Sequence, residues 1–146
     1  MTTNAIRVID IIARLMMAAL FIYSGIGKLL DPGTVANRLA GTGFPFSQLS
    51  AYAAIIVELG GALLLIVGYR LVATCAVLAG FTVLVTALFH PFWTFEAAQR
   101  AIQTIQFLKN ACILAGLWFI VRTALLEAVH PVGGASASAV SPAVVE

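Results

Sequence analysis

The sequence predicts an all-α protein, a four-helix transmembrane bundle, on three observations. The chain is 62% hydrophobic and only 10% charged, whereas soluble domains carry about a quarter charged residues. It therefore has too few polar side chains to cover a water-facing surface. Four apolar stretches reach the roughly 20 residues that cross a bilayer: Val8–Leu30, Gln48–Gly68, Leu71–Phe89 and Ile105–Leu126. Lipid offers backbone amides and carbonyls no partners, which forces such stretches into helices.

Arg14 interrupts the first stretch, and the apolar run continues past any cleavage site, so it reads as an uncleaved helix and not a signal peptide. The connection after it, "DPGTVANRLAGTGFPFS" (Asp31 to Ser47), opens on a Pro-Gly turn, and Thr34 to Leu39 suits a short interfacial helix. Only Tyr69 and Arg70 separate the second and third stretches, which predicts a tight hairpin. "HPFWTFEAAQR" (His90 to Arg100) breaks at Pro91, and its Phe92, Trp93 and Phe95 suit a membrane interface. The membrane domain is expected over residues 1–130, and the low-complexity residues 131–146 read as a loose tail. Arg7, Arg14, Arg70 and Arg122 mark the amino-terminal side, against Lys28, Arg38 and Arg100 opposite. That slight excess places both termini in the cytoplasm.

Several function classes have no support. A net charge of +2 without a basic run gives nucleic acid no footprint. Cys75 and Cys112 form no CxxC motif. Their expected depths differ by roughly 10 Å, beyond disulfide reach, so they read as small structural thiols. His90 and His130 are the only histidines, and His130 lies past the fourth helix. Neither haem nor metal is therefore expected. No phosphate loop or Ser-His-Asp order is present.

"AIIVELGGALLLIVG" (Ala54 to Gly68) places a carboxylate, Glu58, inside hydrocarbon. Stepping by three and four along its helix gives Ala51, Ala54, Glu58, Gly61, Leu65 and Gly68, a mostly small face on which helices can approach closely. Similar stripes run through Arg14, Ala18, Phe21, Gly25 and Lys28; through Ala76, Gly80, Val83, Ala87 and His90; and through Ile105, Lys109, Cys112, Gly116 and Phe119. The expected interior thus holds Arg14, Lys28, Glu58, His90 and Lys109. Counting helical rise puts Glu58 near mid-membrane, with Lys109 its first expected partner and Arg14 its second. Lys28 reads as snorkelling to the interface. Intramembrane charges are functional by default, so Glu58 is either a proton-relay carboxylate or quinone ligand, or a structural ion-pair partner that sets helix register.

"RLMMAALFIYSGIGKL" (Arg14 to Leu29), "VELGGALLLIVG" (Val57 to Gly68), "FH" (Phe89 and His90) and "FLKNACILAGL" (Phe107 to Leu117) occur in that order. This pattern resembles the DoxX family of small four-helix bacterial membrane proteins. On that resemblance Arg14, Gly25, Lys28, Glu58, Gly61, His90, Lys109 and Asn110 take the family's motif positions. The family name comes from a subunit associated with quinone-linked oxidation. The resemblance therefore implies an inner-membrane subunit linked to quinone-dependent electron transfer, with a quinone as cofactor and a protein partner in a membrane redox complex beside the membrane lipid. Two alternatives stay open: a non-catalytic anchor or assembly subunit, and a small-solute or proton pathway.

Overall fold

The computed structural model describes residues 3–129. His130 and the expected tail, residues 131–146, lie outside the described residues. The described residues form α1 (Thr3–Leu30), α2 (Pro32–Gly41), α3 (Ser47–Val67), α4 (Leu71–Phe89) and α5 (Ala97–Val129), joined by short turns and a 3₁₀ turn at Phe92–Thr94. There are five α-helices where four were expected. The addition is α2, the connection in which only a short helix over Thr34 to Leu39 was foreseen. Three segments are long and apolar enough to cross a membrane: Ser47–Val67, Leu71–Thr94 and Ala97–Val129.

Each boundary has a local cause. Asp31 caps α2: its carboxylate accepts from the Thr34 amide at 3.0 Å and the Thr34 hydroxyl at 2.6 Å. Pro32 follows at the first helical position, where its missing amide costs nothing. Gly68 stops α3 in the left-handed conformation (φ 72°). The Gly68 and Tyr69 amides then donate to the Leu65 and Leu64 carbonyls, closing the helix end. Arg70, also left-handed (φ 42°), turns the chain directly into α4. α4 ends at His90 because Pro91 disfavours helical geometry in the residue before it. α5 begins eight residues before the predicted Ile105, since Ala97, Ala98, Gln99, Arg100 and Ala101 are good helix formers. An apolar run marks where lipid begins and not where a helix begins. At 1.5 Å per residue α5 is about 50 Å long, longer than the roughly 30 Å hydrocarbon core.

The four long helices pack in the cyclic order α1, α3, α4, α5, while α2 lies against α3. Ala18 and Phe21 of α1, Ala62 and Leu65 of α3, Cys75 and Leu78 of α4, and Ile113, Leu117 and Ile120 of α5 meet in one core. A second, smaller cluster joins Ala36 and Leu39 of α2 to Ala51 of α3. Glycines permit two of the close approaches. A Cβ on Gly25 would sit 2.7 Å from Leu59, and one on Gly61 would sit 2.6 Å from Leu78.

The expected inward stripes hold for α1 and α3 but not for α4 and α5. In α4 the buried face is Thr74, Cys75, Leu78 and Thr82, while Val83 of the expected stripe is 53% exposed. In α5 the buried face is Asn110, Ile113, Leu117 and Ile120, one position round from the expected residues, and Phe119 is 62% exposed. Neither helix has a one-sided apolar face: α4 is apolar nearly all round, and α5 spreads polar residues such as Gln103, Gln106 and Lys109 around its circumference, so small and ionisable residues were the directional cues. The bundle instead turns branched side chains inward to fill its centre.

Two outcomes are expected. Gly68→Ala forces an L-residue into the left-handed region and drives its Cβ into the Arg14 guanidinium. It should lower stability by at least about 1–2 kcal/mol, read as a lower melting temperature in detergent. The Asp31 carboxyl is held below its ordinary value of 3.8 by the Thr34 hydroxyl first and the Thr34 amide second. Its folded-state pKa is depressed, so its contribution to α2 is present above pH 3.8 and disappears as pH falls through the lower folded value. Amide exchange in α2 should accelerate over that acid window, and Asp31→Ala should abolish the pH dependence.

Candidate functional site

Glu58 sits in the middle of α3 and is 4% exposed. Its partner is Lys28, whose Nζ donates to both carboxylate oxygens at 2.9 Å. Neither Lys109 nor Arg14, the two partners expected from helix counting, reaches it. Ser24, one turn before Lys28 on the same face of α1, completes the group. Its hydroxyl accepts from Lys28 Nζ at 2.6 Å and donates to Glu58 Oε1 at 3.1 Å. A carboxylate, an ammonium and a hydroxyl thereby satisfy one another. The Lys28 side chain keeps 23% of its surface, on the side of a neighbouring cavity. This is the one ion pair among the described residues.

The error in the expected pairing was one of depth. Lys28 is two residues from the end of α1, which suggested the membrane surface. However, α1 stops and α2 takes over while α3 still has eleven residues before Glu58, a rise of about 16 Å. The last turns of α1 therefore pack against the middle of α3, with Gly25 directly against Leu59 and Glu58. Lys28 points across to the carboxylate instead of up to the interface.

Two further polar contacts bind α5 to its neighbour α4. Asn110 Nδ2 donates to Thr86 Oγ1 at 2.9 Å. His90 Nδ1 lies 2.8 Å from Gln103 Oε1. With that amide oxygen as acceptor, Nδ1 carries the hydrogen and Nε2 is left as an acceptor. The residues overlooked in the sequence are Ser24, Thr86 and Gln103. Ser24 had a signal, its i, i+4 spacing to Lys28. Thr86 and Gln103 had none, because their partners lie on other helices.

An open cavity of about 1200 Å³ is bordered by α1, α2, α3, α4 and the middle of α5. Lys28, Glu58, His90 and Lys109 all line it, together with Ser24 and Asn110. Arg14 does not line it. Its guanidinium lies against Gly68 at the far end of α3, and it borders a second cavity on the α1–α5 seam. Lys109 is exposed on α5 and borders both cavities. The structure thus gathers four of the five expected residues around one space and sets the fifth elsewhere.

This arrangement is that of a helical membrane protein with one internal ion pair beside a polar-ended cavity. The DoxX family profile matches residues 9–91, more than half of the chain, and the chain belongs to the DoxX family. The matched segment contains Arg14, Ser24, Lys28, Glu58 and His90, whereas Lys109 and Asn110 lie beyond it. The chain is 29% identical over 113 residues to the inner membrane protein YqjF of Escherichia coli, covering 77% of this chain and 82% of that one. It is 30% identical over 117 residues to the inner membrane protein YphA of the same organism, covering 80% and 83%. No solved structure matches the chain.

A double-mutant cycle tests the pair. Lys28→Met or Glu58→Gln alone should each destabilise the fold by about 3 kcal/mol, the lower end for a broken buried pair, reduced in lipid where the unfolded state finds partners too. The double mutant should cost much less than the sum. The same cycle run with Lys109→Met in place of Lys28→Met should be additive. Melting temperature in detergent is the readout.

Proposed function

We propose that this DoxX protein is a four-span subunit of a bacterial inner membrane that holds a quinone and serves electron transfer together with a separate redox partner. The observation that carries this reading is the cavity. Its lining is largely apolar, as a site for a lipid-soluble ligand must be, and among its polar side chains Ser24, Lys28, Glu58, His90, Lys109 and Asn110 come from the long helices, with Asp31, Thr34 and Arg38 added from α2 and its cap. Ligand pockets combine those two properties: hydrocarbon for affinity and a handful of placed polar atoms for orientation.

A quinone headgroup offers carbonyl oxygens, which accept hydrogen bonds, on an apolar ring and tail. Lys109 and Asn110 bring donors to one wall, and Phe21 and Ile113 bring apolar surface near them. When bound, a quinone supplies two-electron, two-proton redox chemistry. The chain's own part is to bind the headgroup, keep water out, and hold a proton nearby, at His90 Nε2 or at the Glu58 carboxylate. In this reading a separate redox partner delivers or takes the electrons.

Pairing supports the remaining parts of the proposal. Glu58 neutralises Lys28, which lowers the cost of placing α1 in lipid as the fourth span. It also withdraws Lys28 from the charge balance at the helix ends. Arg7, Arg14, Arg70 and Arg122 then stand on one side against Arg38 and Arg100 on the other, which favours cytoplasmic termini. The inner membrane is the location in the names of the two Escherichia coli relatives. A second reading, a non-catalytic anchor, has its own support. The Ser24–Lys28–Glu58 group is internally satisfied, as a purely structural device would be.

The test is titration of a short-chain quinone against the purified protein in lipid nanodiscs. Saturable binding is expected, and Lys109→Met should weaken it about tenfold, the worth of one charge-assisted hydrogen bond. No saturable binding, together with a native complex that stays fully active after Glu58→Gln, would replace this reading with the anchor.

A further inference from the structure

The second cavity, about 1160 Å³, follows the α1–α5 seam at the end of the bundle where α1 begins and α5 finishes. It shares none of the Ser24–Lys28–Glu58 group. Its walls are hydrocarbon from Ile9, Met16 and Ile120, and its floor is formed where Met17 packs on Gly116. Its mouth is charged with both signs. Arg7, Asp10 and Arg14 lie at i, i+3 and i+7 on α1, and Glu127 faces them from α5, one turn beyond Thr123. Asp10 has the helical spacing at which acid and base ordinarily pair with either arginine. Nevertheless, the only ion pair among the described residues is elsewhere, between Lys28 and Glu58. Two cations and two carboxylates therefore line one mouth without neutralising each other.

The geometry points to a phospholipid site, occupied by a lipid whose headgroup carries both a phosphate and a primary ammonium. The phosphate takes the guanidinium donors of Arg7, with Arg14, whose guanidinium lies against Gly68, adding positive charge deeper in the seam, and the ammonium takes the Asp10 and Glu127 carboxylates. A purely anionic headgroup would meet two uncompensated carboxylates, and a quaternary ammonium has no N–H to donate to them. The groove also has the right length. From Glu127 back to Cys112, α5 spans about 22 Å, more than the roughly 15 Å half-thickness of the hydrocarbon core. One acyl chain can thus lie along the seam while its headgroup stays at the mouth. The two cavities share Lys109 and Ile113 along their walls, but the charged mouth of this one contains none of the residues to which the quinone reading gives a role.

The test is native mass spectrometry of the full chain with phosphatidylethanolamine, phosphatidylcholine or phosphatidylglycerol. Phosphatidylethanolamine should be retained at least about fivefold better than either of the others, the worth of one charged contact near a membrane surface. Arg7 and Glu127 are exposed, so substituting them leaves the core intact. Arg7→Gln should weaken retention of all three lipids. Glu127→Gln should erase the preference for phosphatidylethanolamine over phosphatidylcholine while leaving binding itself. Equal retention of the three lipids by the unmodified chain would overturn the proposal, as would an unchanged preference in Glu127→Gln. So would a Cys112–Cys112 cross-link between two copies that forms as readily with phosphatidylethanolamine present as without it, since the seam would then belong to a dimer.

Discussion

A carboxylate in the middle of an apolar helix has to be answered by the rest of the molecule. Left alone in hydrocarbon, Glu58 would be far costlier than any single packing defect. Lys28 and Ser24 answer it with three donors, and both come from one face of α1. That requirement fixes the register of α1 against α3 to within a turn. It also explains Gly25, the residue that lets the two backbones come close enough for a lysine to lay its ammonium across both carboxylate oxygens. The early end of α1 and the presence of α2 follow from the same register. The chain must cover the distance from the level of Glu58 to the start of α3, and it does so with a capped helix packed on Ala51.

The bundle can then be seen as two helix pairs joined by a hinge-like turn. α1 is tied to α3 by the ion pair, and α4 is tied to α5 by Asn110–Thr86 and His90–Gln103. The turn at Gly68–Arg70 links the pairs covalently. Among the described residues no side-chain hydrogen bond links α1 to α5. Lys109, on that side of α5, borders the cavities on both halves of the molecule. Polar contacts in lipid are worth more to specificity than to net stability. Here they tie α1 to α3 and α4 to α5, while apolar packing of Gly61 against Leu78 closes the α3–α4 seam.

The motifs that place the chain in the DoxX family can be read in the same physical terms. The serine and lysine of "SGIGKL" and the glutamate of "VELGG" are the three members of one hydrogen-bonded group, and the first glycine of "SGIGKL" is the space in which the group forms. The two Escherichia coli relatives span most of this chain. The family match over residues 9–91 contains Ser24, Lys28 and Glu58, while the α5 wall of the cavity lies beyond it.

Composition and the lengths of the apolar runs determined the all-helical class, the end of α1, the positions of α3 and α4, and the tight α3–α4 turn, because lipid permits no other way to satisfy a backbone, while α1 starts at Thr3, five residues before the expected Val8. They also singled out Glu58, since one acid in an apolar run is conspicuous at any depth. The start of α5 was not legible, because hydropathy records the solvent and helix propensity extends beyond it. The inward faces of α4 and α5 were not legible either, because α4 is apolar nearly all round and the polar residues of α5 are spread around it, so neither carries a directional signal. The identity of Glu58's partner was decided only by tertiary structure. Helical rise measures depth from a helix end, but where that end lies depends on how α1, α2 and α3 pack. A shift of that end by the length of a few turns exchanges Lys109 and Arg14 for Lys28.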